Sequence, residues 1–117
     1  MVVDTRERGS GTDRLFFALS DATRRDIVTQ TLDRERSVSE LGRLYPISLT
    51  AVQKHVEVLV DAGLVSKHRI GREQRVRGDV DQLRRAHELL DELETLWRAR
   101  LERFENVLTE TTGKGNK

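Results

Sequence analysis

Residues 48–65 read SLTAVQKHVEVLVDAGLV, and this stretch carries the clearest structural signal in the chain. Its apolar residues recur every three or four positions, as in a helix with one buried face: Leu49, Val52, Val56, Leu59 and Val60. Ser48 is a favourable N-cap residue, and Gly63 follows as the expected left-handed stop. We therefore predict a helix from Leu49 to Ala62. Its opposite face is polar and carries Thr50, Gln53, Lys54, Glu57 and Asp61.

The segments on either side complete a motif. Ser39 precedes a short helix over 40–45, and Pro46 ends that helix because proline disfavours helical backbone just before it. After Gly63, two extended runs, 64–70 and 73–78, flank Gly71-Arg72 and predict a β-hairpin with a tight turn. This order is that of a helix-turn-helix followed by a wing. The predicted fold class is mainly α with a small β-hairpin, a winged helix-turn-helix.

Further helices are predicted on both sides of this motif. Thr12 or Asp13 caps a first helix that ends near Ser20, and Asp21 caps a second helix that ends before Asp33. Asp79 or Asp81 caps a last helix that runs to about Glu110, since no Gly or Pro interrupts it. The expected organisation is a flexible lead-in, one domain whose last helix covers about 79–110, and a flexible tail: residues 1–11, 12–110 and 111–117.

Composition narrows the range of functions. The chain has 117 residues, enough for one domain, and no cysteine, which excludes disulfides, thiolate metal sites and cysteine nucleophiles. It has no apolar run of about 18 residues and no hydrophobic stretch after the N-terminal charges. We therefore expect no membrane association and a cytoplasmic location. Catalysis is not expected either, because the histidines are scattered and no phosphate-binding glycine loop or nucleophile with a base is present.

Charge is distributed unevenly although the net charge is only +1. Residues 43–78 hold seven Lys or Arg against three Asp or Glu, and residues 79–110 hold five against nine. A basic segment that coincides with a winged helix-turn-helix indicates a surface for double-stranded DNA. A helix fits the major groove and a hairpin reaches the neighbouring backbone. The alternative is a protein-interaction module built on the same fold.

Two sets of residues are predicted to contact DNA. Gln pairs with adenine through two hydrogen bonds, and Lys contacts guanine or a phosphate, while Glu57 could accept a hydrogen bond from cytosine or lie in solvent. The predicted recognition-helix set is Ser48, Thr50, Gln53, Lys54 and His55. The predicted wing set consists of five cations that face only the acid Glu73 and would be neutralised by phosphates: Lys67, Arg69, Arg72, Arg75 and Arg77.

The last helix has an apolar residue recurring every seven positions. A helix of about 30 residues is about 45 Å long, which is longer than a domain of this size can cover, so the apolar residues at its far end would stay exposed to solvent in a monomer. We expect part of this apolar stripe to pack against the chain's own core. Pairing with a second copy would bury the rest. Arg100 interrupts the recurrence. The predicted homodimer interface joins first and last helices through Leu15, Phe16, Leu90, Leu93, Trp97 and Phe104.

Four segments together carry a family resemblance. They are Ala18-Leu19-Ser20-Asp21-Ala22-Thr23-Arg24-Arg25, Val38-Ser39-Glu40-Leu41, Ala51-Val52-Gln53-Lys54-His55-Val56 and Ala62-Gly63-Leu64-Val65. They resemble the ArsR family of bacterial transcriptional repressors over about residues 12–110. The resemblance implies a dimeric winged helix-turn-helix that occupies an operator, commonly its own promoter, and blocks transcription. Because a dimer places two such helices about 34–36 Å apart, we expect the operator to be an inverted repeat.

The chain departs from many metal-sensing relatives in one respect. After Glu40-Leu41 it has Gly42-Arg43-Leu44 where such relatives carry Cys-x-Cys. Other relatives bind metal through Asp and His on the last helix, and here His87, Asp91 and Glu94 lie on one helix face. A solvated acidic face is the interpretation we favour over a site shared by two chains. No metal or cofactor is expected, and the sequence identifies no effector.

Overall fold

The computed structural model describes the backbone of residues 2–115 and the side chains of residues 11–111. This part of the chain forms five helices and one three-stranded antiparallel sheet with the strand order β1-β3-β2. It divides after Ala86 into two compact units, 1–86 and 87–117. The elements are α1 (Val2–Leu19), α2 (Ala22–Asp33), β1 (Arg36–Ser37), α3 (Val38–Leu44), α4 (Leu49–Asp61), β2 (Val65–Ile70), β3 (Glu73–Gly78) and α5 (Val80–Gly115).

The first helix begins earlier than the sequence predicts. α1 starts at Val2 rather than at Thr12 or Asp13, so the segment 2–11 is helical instead of forming a lead-in. Gly9 and Gly11 cost about 1 kcal/mol each relative to alanine, but unlike proline they leave the helical hydrogen bonds intact. Glycine inside a helix is therefore a weaker stop signal than the sequence interpretation assumed.

α2 is capped as predicted, by Asp21. Its carboxylate accepts a hydrogen bond from the Arg24 amide at 3.0 Å. This backbone hydrogen bond is the main reason why the pKa of Asp21 lies below its ordinary value. The cap starts α2 at Ala22, so that only Ser20 and Asp21 lie between α1 and α2.

The sequence interpretation missed β1 and placed the cap of α3 two residues late. Ser37, not Ser39, caps α3: its hydroxyl accepts from the Glu40 amide at 3.0 Å, and Glu40 Oε1 accepts from the Ser37 amide at 3.1 Å. β1 pairs with β3, with Ser37 opposite Arg75. A two-residue strand is too short to show an alternating pattern, and its second residue already serves as the helix cap.

α4 and the hairpin form as predicted. Ser48 Oγ accepts from the Ala51 amide at 3.1 Å, and the helix ends one residue before Ala62, which is its C-cap. Gly63 then has φ 76° and Gly71 in the hairpin turn has φ 61°, which are left-handed conformations that glycine adopts without strain. β2 and β3 pair antiparallel from Val65 opposite Gly78 to Ile70 opposite Glu73.

The core of the first unit is formed by one face of each of its elements. The larger apolar side chains without exposed surface come from α1, α2, α3, α4, the segment before β2, and β3: Leu15, Ile27, Leu41, Val52, Leu59, Leu64 and Val76. Burial of each such side chain contributes about 1.5–3 kcal/mol to folding. Leu15, which the sequence places at the homodimer interface, is part of this core and has no exposed surface in the single chain. The apolar pattern alone did not show which face of α1 the chain itself covers.

α5 is longer than predicted. Asp79 Oδ1 caps it by accepting from the amides of Asp81 and Gln82, at 2.9 and 3.2 Å. The helix continues through 111–115, where a loose tail was expected, and residues 116 and 117 lie outside the described part. At 1.5 Å per residue it is about 54 Å long. None of the described helices combines the length and the apolar character that crossing a membrane requires.

Candidate nucleic-acid interface

The outer face of α4 presents a compact set of polar side chains. Thr50, Gln53, Lys54 and Glu57 are all exposed, whereas Val52 and Val56 between them are buried. Residues at this spacing, i, i+3, i+4 and i+7, lie on one face of a helix. Ser48 lies at the start of the same helix, but its hydroxyl already serves as the N-cap, so its main contribution is to begin α4.

His55 lies on a different side of α4 from this set. Its ring is half-buried, and Nδ1 lies 3.2 Å from Nη1 of Arg24 on α2. The structure therefore places His55 in a contact between helices, away from the exposed face on which the other predicted α4 residues lie. The prediction of a DNA contact for His55 is not supported by this position.

Arg24 is a residue whose role the sequence did not reveal. Its guanidinium is buried, and it donates from Nε to the Ala18 carbonyl and from Nη2 to the Phe17 carbonyl, both at 2.9 Å. It also lies over the Phe17 ring at 5.0 Å from the centroid. One side chain thus joins the end of α1 to α2 and, through His55, to α4. Its helical spacing from the buried residues Ile27, Val28 and Thr31 was the available signal.

The turn before α4 is also held in place from α2. Tyr45 Oη donates to Asp26 Oδ2 at 2.6 Å. Burial, and then the hydrogen bond to the Asp26 carboxylate, raise the pKa of the Tyr45 phenol above its ordinary value. The segment before α4 is therefore held by a hydrogen bond between two residues that are 19 positions apart in the sequence, in addition to the N-cap of α4 itself.

The wing has two different faces. Residues directly opposite each other in antiparallel strands share a face, so the register separates the wing side chains into two groups. One face carries Lys67, Arg69 and Gln74 together with the buried Val76. We call Lys67, Arg69 and Gln74 the inner wing face. The other face carries His68, Arg75 and Arg77, and Arg72 lies in the turn.

The inner wing face borders α4 directly. A cleft of about 270 Å³ is lined by Val38, Gln53, Val56, Glu57, Lys67 and Gln74. The cleft therefore brings together Gln53 and Lys67, which are both predicted to contact DNA. It also contains Gln74, which the sequence did not identify as a contact residue. Lateral distances between strands cannot be inferred from sequence unless the register is known.

Arg75 differs from the other wing cations. Its Nε donates to Glu35 Oε2 and its Nη1 to Glu73 Oε2, both at 2.8 Å. His68 Nε2 lies 3.0 Å from the second Glu35 oxygen. The hydrogen bond from Arg75 is the main cause that lowers the pKa of Glu35, and the same bond raises the pKa of Arg75. The guanidinium of Arg75, which the sequence predicts to contact a phosphate, is thus paired with two carboxylates of the chain itself.

The remaining wing cations are exposed. Among the side chains of residues 11–111, no carboxylate lies within ion-pair distance of Lys67, Arg69, Arg72 or Arg77. The interface that the structure brings together consists of the outer face of α4, the inner wing face and Arg72 in the turn. Such a surface can donate to base edges and neutralise phosphates.

The residues predicted at the dimer interface occupy different environments. Phe16 on α1 is half-buried, and Leu90, Leu93, Trp97 and Phe104 on α5 are exposed. His87 and Asp91 are exposed on α5 as well. In the described part of the chain no group of three or more His, Asp or Glu residues is placed so that it could hold a metal ion.

The chain is similar to known proteins both in sequence and in structure. Residues 19–68 match the family model described as a helix-turn-helix domain. The chain is 45% identical to the HTH-type transcriptional regulator Rv2034 of Mycobacterium tuberculosis over 45% of its own length and 50% of that protein, so it spans only half of this relative. It is also 45% identical to the uncharacterized HTH-type transcriptional regulator YuzN of Bacillus subtilis, over 51% of its own length and 73% of that protein.

Among solved structures, an ArsR-like transcriptional regulator from Rhodococcus sp. RHA1 is similar over nearly its whole length. The TM-score is 0.75 and the sequence identity 31%, and the match covers 86% of this chain and 95% of that one. The similarity thus includes much more than the helix-turn-helix segment itself.

Proposed function

Because the chain belongs to the ArsR family of winged helix-turn-helix transcriptional regulators, we propose that it binds an operator as a homodimer and represses transcription. The observation that carries this proposal is the outer face of α4 lying next to the inner wing face. The wing carries four cations that have no carboxylate partner among residues 11–111: Lys67, Arg69, Arg72 and Arg77. The proposed role is non-enzymatic and is carried out where the DNA lies, in the cytoplasm.

The proposed contacts divide between bases and phosphates. α4 enters the major groove, where Thr50, Gln53 and Lys54 reach base edges. Lys67 and Arg69 from the inner wing face, with Arg72 in the turn, neutralise phosphates of the adjacent backbone. Arg75 holds the wing to the domain through Glu35, and Arg77 is exposed on the same outer side of the wing.

The proposed dimer explains the second unit. Leu90, Leu93, Trp97 and Phe104 leave apolar surface exposed along α5, and such a surface marks an interaction site. A second copy of the chain covers it in the proposal, with Phe16 of α1 as an additional contact. A two-fold dimer places two α4 helices about 34–36 Å apart, so the operator is an inverted repeat with half-sites one helical turn, or a multiple of it, apart.

Repression follows from occupancy of a promoter, commonly the regulator's own. The cysteine pair of metal-sensing relatives has no counterpart after Glu40-Leu41. The proposal therefore includes no metal effector. Addition of zinc or of EDTA is expected to change DNA affinity by less than about twofold, well below a typical allosteric coupling.

The test is a titration of the full chain with the DNA upstream of its gene at several salt concentrations. Three or four phosphates neutralised per chain predict a slope of log affinity against log salt of about −5 to −7 for the dimer. A duplex of the same length and shuffled sequence serves as the control and should bind at least about a thousandfold more weakly.

A slope shallower than about −2, or equal affinity for the shuffled duplex, would contradict groove-and-wing binding. The exposed stripe of α5 also fits the alternative of a protein-interaction module, which predicts no complex with either duplex at physiological salt. The same titration therefore separates the two functions.

A further inference from the structure

An acidic side chain, Glu57, lies where the DNA-facing surface of α4 meets the wing. Glu57 is exposed on α4, one turn beyond Gln53 and Lys54, and it lines the cleft against the inner wing face. A carboxylate at this place weakens the attraction between the protein and any polyanion. We infer that Glu57 is a specificity-determining residue, which accepts a hydrogen bond from the N4 amino group of a cytosine in each half-site. This inference rests on the proposed DNA-binding function and adds a base to it.

The position of Glu57 on the helix allows this contact. Thr50, Gln53, Lys54 and Glu57 occupy positions i, i+3, i+4 and i+7 of one exposed face. Homeodomains contact the major groove from four residues of their recognition helix at the same spacing. A helix that reaches base edges through its first three positions therefore carries the fourth along the same groove.

The carboxylate is also available for such a contact. Other acids near the wing are engaged by cations of the chain: Glu35 by Arg75 and His68, Glu73 by Arg75, and Glu40 by Arg34. Glu57 has no cation within ion-pair distance among the described side chains, although Lys67 lines the same cleft. Its oxygens are free to accept from a ligand.

The chemistry of the groove selects cytosine. An ionised carboxylate only accepts hydrogen bonds. Guanine shows two acceptors in the major groove, thymine an acceptor and a methyl group, and adenine an acceptor next to its amino donor. In the major groove, only cytosine presents an amino donor with no acceptor atom of the same base beside it. Glu57 therefore favours C·G at one position and repels the other bases and nearby phosphates, so it raises discrimination while it lowers affinity for random DNA.

The test is selection from a pool of duplexes with a randomised centre, using the full chain and the variants Glu57→Ala and Glu57→Gln. The wild type is expected to enrich inverted repeats with an invariant C·G pair in each half-site. Glu57→Ala should reduce the preference at that pair at least about fivefold and leave the other positions unchanged. Glu57→Gln should move the preference towards A·T, because an amide pairs with adenine through two hydrogen bonds. Both variants should bind a duplex of unrelated sequence about two- to fivefold more tightly.

Asp61→Asn is the matched control, since Asp61 is an exposed acid of the same helix that lies in a separate small cleft with Arg14, Phe17 and Val58. It should leave the preference at every position unchanged. If Glu57→Ala enriches the same sequences as the wild type, or if Asp61→Asn and Glu57→Ala act alike, Glu57 contributes net charge only and the inference is wrong. If the wild type enriches no sequence, the proposed function fails, and this inference fails with it.

Discussion

α4 and the far part of α5 are both amphipathic helices, but only α4 has its apolar face covered by the chain. On α4, the exposed fraction is 0% for Val52, 1% for Val56 and 0% for Leu59. On α5 it is 60% for Leu93, 57% for Trp97 and 61% for Phe104. The first unit therefore forms a complete core from a single chain, whereas the second displays apolar surface that folding of one chain does not bury.

The same distinction applies to the charged groups of the wing. Arg75 has its carboxylate partners within the chain, and Lys67 has none among residues 11–111. Groups whose partners lie in the chain determine the fold, and groups without such partners are available for a second molecule. Substitution of a group whose partner lies in the chain should therefore change stability. Substitution of a group without such a partner should change binding to a second molecule.

The largest expected effect is on assembly. Trp97→Ala removes an exposed indole from each of two copies, and burial of a large side chain contributes about 1.5–3 kcal/mol. The dissociation constant of the proposed dimer should rise at least about a hundredfold, as measured by sedimentation equilibrium. Arg98→Ala on the same helix is the control, because Arg98 pairs with Glu94 at the surface and should matter little. An unchanged dissociation constant for Trp97→Ala would show that α5 has another occupant.

A smaller effect is expected in the core of the first unit. Leu59→Ala leaves a cavity among fully buried side chains and should lower the free energy of unfolding by about 2–5 kcal/mol. Urea unfolding measures this loss. At protein concentrations below the dissociation constant of the dimer, the measured loss should not depend on protein concentration. Leu49→Ala, at a half-exposed position of the same helix, should cost less. Equal losses would contradict the burial pattern.

The third prediction concerns the wing. Lys67→Ala should weaken DNA binding about tenfold at low salt and make the salt dependence shallower by about one unit per protomer, because a phosphate contact is lost. Arg75→Ala should leave the salt slope unchanged, since its guanidinium is held by Glu35 and Glu73. Titrations of both variants at several salt concentrations provide the comparison. If both slopes fall equally, Arg75 exchanges its carboxylate partners for phosphate.

The smallest expected effect depends on pH. The pKa of Glu35 is held below its ordinary value of 4.5 by the hydrogen bond from Arg75. Its contribution to stability is therefore fully present above pH 4.5 and is lost as the pH falls through the lowered pKa. Glu35→Gln should reduce the melting temperature slightly at pH 7, and its difference from the wild type should shrink as the pH falls below 4.5 and vanish once the folded protein has protonated Glu35. A difference that grows on acidification would have the wrong sign for this ion pair.

Local signals made much of the fold predictable. α2, α4 and the hairpin are marked by a cap, a helical apolar period or a glycine turn, and all of these signals lie within a few residues of the element they define. The start of α1 was missed because glycine is tolerated inside a helix. The cap of α3 was missed because Ser37 and Ser39 are both possible caps, and only the capping box with Glu40 distinguishes them.

The candidate site was less predictable, because its details depend on residues that are distant in sequence. Glu35 and Arg75 are 40 residues apart, and no local pattern indicates that one holds the other. Leu15 belongs to an apolar stretch, but the stretch does not show whether the chain or a second copy covers it. Gln74 became part of the interface only once the register had placed it beside α4.

The buried guanidinium of Arg24 has a mechanical consequence. It simultaneously holds two carbonyls at the end of α1 and the imidazole of His55 in the middle of α4. A rotation of the last turn of α1 would therefore strain or break these hydrogen bonds unless α4 moved with it. A molecule that binds α1 and shifts its last turn would therefore also shift α4, because the side chain of Arg24 links the two helices directly.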